Sequence, residues 1–537
     1  VLVVLSGNGF SQFFDASGRR RFAFIFLLLV GAFFRLYALD RYPLGAHQDE
    51  LSNIYDGWSI AETGADRFGD SHPAVLRAFG ERDYRPALYA WLASVPQRFT
   101  GFSVSAGRLP AAVLGITSLL LVYGFARDLA GFGYALAALL FAALSPLHIQ
   151  FSRIAHEGGI LPGFFLILIL FLWQRGARRN FRIGEVALLG FVTGLSANSY
   201  QSTRLTAVLF TLVIGIDILR HASRKTRALL ALGCTALLGA LPQVAFFLSQ
   251  PQRFFGRAKV LSVSADTPLN YLATVLHNYW LNLEPHYLFV PRMLRGLTVA
   301  RLLPVEIVFF YVGLIALAVI PIRPGSRGRV YTYVAFAIAI LPAALTTGNP
   351  STMRASGIAL VTPLFSAAGL VFLGGLVRNL RLRERLYYPV AVGVVVLAFA
   401  AMAYRYASSP YFRELSFQEI GVEMGRKAGA YENRYDAILI ESYVSMPYIY
   451  VAAFAPISPK EFHRARKELY SIGMDVFTRL GKYYCVPKTT MPRSVAALGH
   501  GHGRVLFIAP EKYAGLSQID SVVFLTQKLY FRDYRIR

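Results

Sequence analysis

Eleven apolar runs, each long enough to cross a lipid bilayer as a helix, leave this 537-residue chain few choices of fold. They fall at 22–39, 108–126, 132–150, 158–174, 183–199, 204–219, 228–249, 302–322, 330–346, 355–377 and 386–404. Hydrocarbon offers no water to backbone N–H and C=O groups, so such runs cross as helices that satisfy themselves. Composition agrees, with 55% hydrophobic residues and a mean hydropathy of +0.45. The net charge of +25 is concentrated in short loops between the runs. That pattern speaks of membrane orientation and anionic lipid, and no nucleic-acid module accompanies it. The two cysteines, Cys234 and Cys485, exclude a disulfide framework and a Cys-based metal site. The first run follows Arg19–Arg21 without a small-residue cleavage pattern, so it reads as a retained span.

Charge parity orients the spans. The basic loops are Arg19–Arg21, Arg127, Arg175–Arg182, Arg220–Arg227, Arg323–Arg329 and Arg378–Arg385. With eleven spans and a cytoplasmic N-terminus all six lie on the cytoplasmic side, as the positive-inside rule requires. A twelfth crossing at Pro86–Thr100 would turn five of them outward, so that stretch reads as an amphipathic helix lying in the interface. Residues 1–404 then form a transmembrane domain with external loops at 40–107 and 250–301. Residues 405–537 form an external domain. Stretches at 437–441, 448–454, 504–510 and 521–526 read as strands and 459–480 as helix-prone, which predicts a small α/β domain.

The polar chemistry gathers on the external side. Asp49-Glu50 stands about ten residues beyond the first span, and ionisable groups beside a bilayer are functional candidates by default. The loop that follows carries Asp66, Asp70, His72, Glu81 and Asp83, with His72 and Asp83 as candidate substrate contacts; a solvated acidic loop is the plainer alternative. Arg153, His156 and Glu157 open the fourth span on the same face, as a lip ion pair or with Glu157 facing Asp49 across a cleft. Arg108, Arg204 and Arg354 sit at external span ends. Arginine in such places either snorkels to headgroups or clamps a lipid-linked phosphate. In 270–292, aromatics and histidines, among them Trp280, His286 and Tyr287, suit either interfacial anchoring or sugar stacking. Walker, G-x-G-x-x-G, His-Glu-x-x-His and Gly-x-Ser-x-Gly motifs are absent from the sequence.

An ordered series runs through this region: Asp49-Glu50, ETGADRFG, Arg85-Pro86-x-Leu88-Tyr89, Ala106-Gly107-Arg108-Leu109-Pro110, LSPLHIQFSRIAHE at 144–157, and Asn282-Leu283-Glu284-Pro285-x-Tyr287. The series resembles the GT-C membrane glycosyltransferases, in particular the glycosyltransferase family 39 group of protein O-mannosyltransferases and lipid A aminoarabinose transferases. It covers residues 22–205 and the 282–289 motif. The resemblance implies a mainly α, polytopic GT-C fold with external juxtamembrane helices and a polyprenyl-phosphate-linked sugar as donor. It implies Asp49 as the base on the acceptor hydroxyl, with Glu50 in support, Glu157 in a second acidic site, and Arg108, Arg204 and Arg354 on the phosphate side. Some lipid A transferases carry Glu before Lys-Pro, proposed to help hold a metal. Tyr84 stands there in this chain, with Asp83 one residue earlier, so a divalent metal stays open and no cofactor is assigned.

The expected activity is inverting transfer of a sugar to a lipid or glycan hydroxyl on the periplasmic or exterior face, in a bacterial inner membrane. A protein acceptor is the rival within the class. A transporter or a non-catalytic assembly subunit is the rival outside it, although transporters place their charges near the bilayer midplane.

Overall fold

The computed structural model describes residues 18–80, 83–290, 301–377, 379–408, 419–441, 446–455, 457–466, 469–471, 475–477, 479–486, 504–509, 517–524 and 527–535. Glu81, residues 291–292 of the aromatic stretch, Arg378 and residues 525–526 lie outside the described residues.

Every apolar run coincides with a helix. These are α1 (Gly18–Leu36), α4 (Val104–Ala130), α5 (Phe132–Ala143), α7 (Glu157–Arg178), α8 (Ile183–Ser196), α9 (Thr203–His221), α10 (Lys225–Ser249), α11 (Glu306–Val319), α12 (Gly328–Ala344), α13 (Ile358–Leu376) and α14 (Tyr388–Ser408). Between α1 and α4 lie α2 (Gln48–Thr63), the hairpin β1 (Val75–Arg77) and β2 (Tyr84–Pro86), and α3 (Leu88–Thr100). Judged by length and hydropathy alone, five helices among the described residues suffice to cross a membrane. Four others, α5, α8, α11 and α12, are apolar but only 10–17 residues long. That is fewer than the eleven full spans expected. The run at 132–150 shows why: α5 stops at Ala143, Ser145 caps a new helix, α6 (Pro146–Phe151), and Pro146 occupies its first turn. Twelve residues reach about 18 Å, short of a hydrocarbon core of about 30 Å.

Helix contact in lipid relies on small residues that let backbones approach. Gly194 on α8 and Gly239 on α10 face one another's chains; a Cβ on Gly194 would stand 1.9 Å from the Ala236 carbonyl oxygen. Gly313 on α11 and Gly369 on α13 repeat the arrangement, with a Cβ at Gly313 only 1.8 Å from the Phe365 oxygen. The stretch at 86–100 is the helix α3. It buries Tyr89, Ala90, Ala93 and Gln97 and leaves Val95 and Phe99 exposed.

The C-terminal part carries α15 (Glu419–Tyr431), β3 (Ala437–Glu441), α16 (Pro447–Phe454), α17 (Pro459–Ala465) and the strands β4 (Leu469–Ser471), β5 (Asp475–Phe477), β6 (Tyr483–Val486), β7 (Arg504–Ala509), β8 (Ser517–Phe524) and β9 (Gln527–Arg535). Five strands form one sheet in the order β6-β3-β7-β9-β8. β3 runs parallel to β6 and β7, while β9 is antiparallel to β7 and β8. The expectation of a strand at 448–454 is corrected to a helix. Pro447 sits in its first turn and residues 447–453 are buried on all sides, so no two-residue alternation was there to read. Parallel β3 and β6 also need a crossover, which α16 and α17 supply. The helix-prone 459–480 is helical only to Ala465, then forms the β4–β5 ladder.

Candidate active site

The site is built around the first turn of α2. His47 is its N-cap, in extended conformation, with its Nδ1 3.2 Å from the Asp49 backbone nitrogen. The same imidazole stands 3.2 Å from Asp49 Oδ2, and His156 Nε2 stands 3.9 Å away. Asp49 keeps 34% of its side chain exposed. Burial pushes its carboxyl up, but the His47 hydrogen bond and the charges of His47, His156 and Arg85 prevail and hold it below the usual carboxylate range. On His47 burial acts downward, and its bond to Asp49 with the charges of Asp49, Glu50 and Glu157 raises it above the ordinary imidazole value.

Glu50, the next residue, is the opposite kind of group. It is 1% exposed, and its Oε1 accepts from Arg108 Nε at 2.6 Å and from the Ala155 N–H at 2.9 Å. Its Oε2 accepts from Arg108 NH2 at 3.1 Å. Arg108 also donates to the carbonyls of Leu39, Pro43 and Gly45, so each of its nitrogens is engaged. Arg108 therefore ties α4 to the loop before α2 and presents no free edge to a phosphate, against the expectation from sequence. Arg153, expected as one half of a lip ion pair or as a substrate contact, is instead spent on backbone: its three nitrogens donate to the carbonyls of Phe34 in the last turn of α1 and of Tyr37, Ala38 and Tyr42 beyond it. Arg204 donates to Gln243 at 3.0 Å and to the Phe254 carbonyl at 2.8 Å, and its guanidinium lies 4.2 Å from the Phe254 ring centre.

Glu157 begins α7, with His156 as N-cap. Its Oε2 accepts from Asn53 Nδ2 at 2.5 Å and lies 3.9 Å from Arg85 NH1. Arg85, which precedes Pro86 on β2, donates to the Asp49 carbonyl, to Ser52 Oγ and to Asp56. It thus braces the helix turn that carries Asp49. Burial first, and then the charges of Glu157 and Asp49, raise the Tyr200 phenol, with Arg354 and Arg257 acting the other way, so it stays a donor. Asp83 lies 3.7 Å from Arg257 and accepts from Gln201 at 3.3 Å. Burial first, offset in part by Arg257 and reinforced by Asp49, raises its carboxyl. Arg354 donates to Thr346 Oγ1 at 2.6 Å and is partly exposed.

The structure thus brings together Asp49, Glu50, Glu157, Asp83 and Arg354 from the sequence-level set. It does not bring His72, His286 or Tyr287 to them. His72 is exposed and its ring lies 6.3 Å from that of Trp91. His286 is exposed, and Tyr287 is buried under Arg301 with its hydroxyl 3.0 Å from Thr352. Sequence reasoning missed His47, His156, Arg85, Tyr200 and Arg257 as members. Arg85 and His156 stood inside the quoted motifs; Arg257, on a six-residue helix at Gly256–Leu261, carried no signal. Among the described residues no group of three His, Cys, Asp or Glu side chains is arranged to hold a metal ion.

The fold is that of the GT-C membrane glycosyltransferases, and the chain is an integral membrane protein. The structure of ArnT from Cupriavidus metallidurans bound to undecaprenyl phosphate aligns with 96% of this chain and 98% of its own, at a TM-score of 0.56 and 12% identity. Its apo form aligns at 0.56 and 11% identity, over 95% and 97%. A model of the dolichyl-phosphate-mannose-protein mannosyltransferase family matches residues 84–246, in keeping with the family resemblance of the motifs. AglB, the oligosaccharyltransferase of Archaeoglobus fulgidus, in complex with an inhibitory peptide and a dolichol-phosphate, aligns at a TM-score of 0.48 and 12% identity over 82% of this chain. This chain spans 64% of the length of AglB. No curated protein matches the sequence.

Proposed function

We propose that the protein transfers a sugar from a polyprenyl-phosphate-linked donor to an acceptor hydroxyl, at a site on the extracytoplasmic face of a bacterial inner membrane. The observation that carries this reading is the split between two adjacent acids: Glu50 is fully paired inside the protein, while Asp49 is held ionised by its neighbours and keeps 34% of its side chain exposed. Asp49 accepts the proton of the acceptor hydroxyl as that oxygen bonds to the anomeric carbon. The bond from that carbon to the donor phosphate oxygen breaks, and the electron pair leaves with the polyprenyl phosphate, inverting the centre. Arg257 and Arg354 stand where the departing phosphate gains charge, with the Tyr200 hydroxyl as a further donor. Glu157 holds Asn53 and balances Arg85, which keeps the α2 turn in register. Undecaprenyl phosphate bound to ArnT and the family model support the donor class. The acceptor is a lipid or glycan in this reading.

The test is turnover in nanodiscs with a panel of polyprenyl-phosphate sugars and acceptors, reading release of polyprenyl phosphate. Release that needs the Asp49 carboxylate supports the reading; proton-coupled solute uptake without any release overturns it.

A further inference from the structure

Asp49 offers two oxygens, and its surroundings treat them differently. Oδ2 stands between two imidazoles, 3.2 Å from His47 Nδ1 and 3.9 Å from His156 Nε2. Oδ1 meets no hydrogen-bond or ion-pair partner among the described residues, on a side chain that stays partly exposed. His156 is the more constrained imidazole. It is the N-cap of α7, and its Nδ1 accepts from the Gly158 N–H at 3.0 Å. A ring nitrogen that accepts carries no proton of its own. The neutral ring therefore bears its proton on Nε2, the nitrogen nearest Asp49. Glu157 Oε2 lies 3.7 Å from Nδ1 and would draw a proton there, but it is already held by Asn53. Tyr200 fixes the ring from another side. The two rings meet edge to face with centres 6.3 Å apart, and a Cβ on Gly158 would come within 2.9 Å of the Tyr200 ring. One side chain thus caps a helix with one nitrogen and turns the other toward the acid.

We propose that His156 is a positioning residue for Asp49, locked as the Nε2–H tautomer by the cap of α7, and that the proton of the acceptor hydroxyl goes to Oδ1. The inference rests on the transfer reading above. The hydroxyl O–H bond breaks as Oδ1 takes the proton, and the acceptor oxygen keeps the electron pair that it gives to the anomeric carbon. At 3.9 Å the Nε2–H is an electrostatic neighbour of Oδ2 and not a hydrogen bond. Contacts of this length at substrate-free sites often tighten once substrate is bound. Because Nδ1 is occupied, His156 cannot relieve Asp49 of its proton without giving up the cap. It orients the carboxylate and does not compete as a base. With both imidazoles on Oδ2, the lone pairs of Oδ1 are left to the acceptor.

Two substitutions separate the two ring nitrogens. An Asn amide stands about where Nδ1 does and is a preferred N-cap, whereas a Gln amide reaches about where Nε2 does and is not. His156→Asn should keep the melting temperature and lower kcat for polyprenyl phosphate release about 10- to 100-fold at unchanged donor KM, the scale of a slightly misplaced reactive group. His156→Gln should melt a few degrees lower and recover most of that kcat. Wild-type kcat in His156→Asn, or a His156→Gln as slow as His156→Asn, overturns the proposal, because a cap alone predicts the better enzyme from Asn. The tautomer has its own readout in protein labelled with ¹⁵N-histidine in nanodiscs, assigned by the signals lost in His156→Asn. A pyridine-type shift at Nδ1 and a pyrrole-type shift at Nε2 are expected for the neutral ring, and the opposite assignment overturns the lock. A wild-type protein that releases no polyprenyl phosphate sinks the transfer reading instead, and the ¹⁵N spectrum still decides the lock.

Discussion

Two carboxylates at opposite ends of the helical bundle show what a membrane protein does with buried acid. Asp217, near the C-terminal end of α9, accepts from Trp173 Nε1 at 2.8 Å, Tyr331 hydroxyl at 2.5 Å and Arg327 at 3.1 Å, and pairs with His221 at 2.8 Å. Its side chain is 11% exposed, and it pins α7, α9 and α12 together. Asp49 has ionic neighbours too, but they meet only its Oδ2, at 3.2 and 3.9 Å, and 34% of the side chain is exposed. A saturated acid is a fastener; an acid whose partners fix its charge while leaving its lone pairs open is available for chemistry.

Substitutions can break that contrast. Asp49→Asn should lower transfer by about 10²–10⁴-fold with only a small drop in melting temperature, read by kinetics beside a thermal scan. An Asp49→Asn protein that melts far below the wild type would make Asp49 a second fastener. Glu50→Gln, one residue away, should instead cost about 3–5 kcal/mol of stability, because it strands the buried Arg108. A fully stable Glu50→Gln would dissolve the division between the two neighbours. Asp217→Asn should cost about 1–3 kcal/mol and leave kcat alone. Arg354→Gln should raise the donor KM about tenfold, with little change in acceptor KM. The smallest effect is with pH. The raised His47 contributes stability that is whole below about pH 6.5 and fades as pH rises through its higher folded value. The depressed Asp49 contributes stability present above about pH 4 that fades only on acidification below it. Both are modest at a site open to solvent. His47→Ala should flatten the alkaline side of the stability profile, measured by chemical denaturation across pH.

The helices were legible because hydropathy over twenty residues is a strong signal, and their interruptions were not, because a cap such as Ser145 inside an apolar run looks like any small residue. The strand expectation at 448–454 failed for a related reason: a segment buried on every side has no period. At the site, Asp49 and Glu157 could be nominated from their place at span ends. The fate of Arg108 could not, since the residue that saturates it lies 58 positions earlier and only the fold brings them together. Arg257 was invisible because a short helix in a loop has no pattern.

The α2 segment that carries Asp49 is also held from far along the chain. Tyr450 hydroxyl donates to the Ala46 carbonyl across 404 residues. Tyr55 hydroxyl donates to the Ile457 carbonyl across 402, and His463 Nε2 to the Asp66 carbonyl across 397. At synthesis rates of about 5–20 residues per second, roughly 20–80 s separate the making of these partners. During that interval the segment around this acid lacks these three supports. The site is thus among the last parts of the molecule to be completed, and a chain still emerging into the membrane carries its reactive group in an unfinished setting.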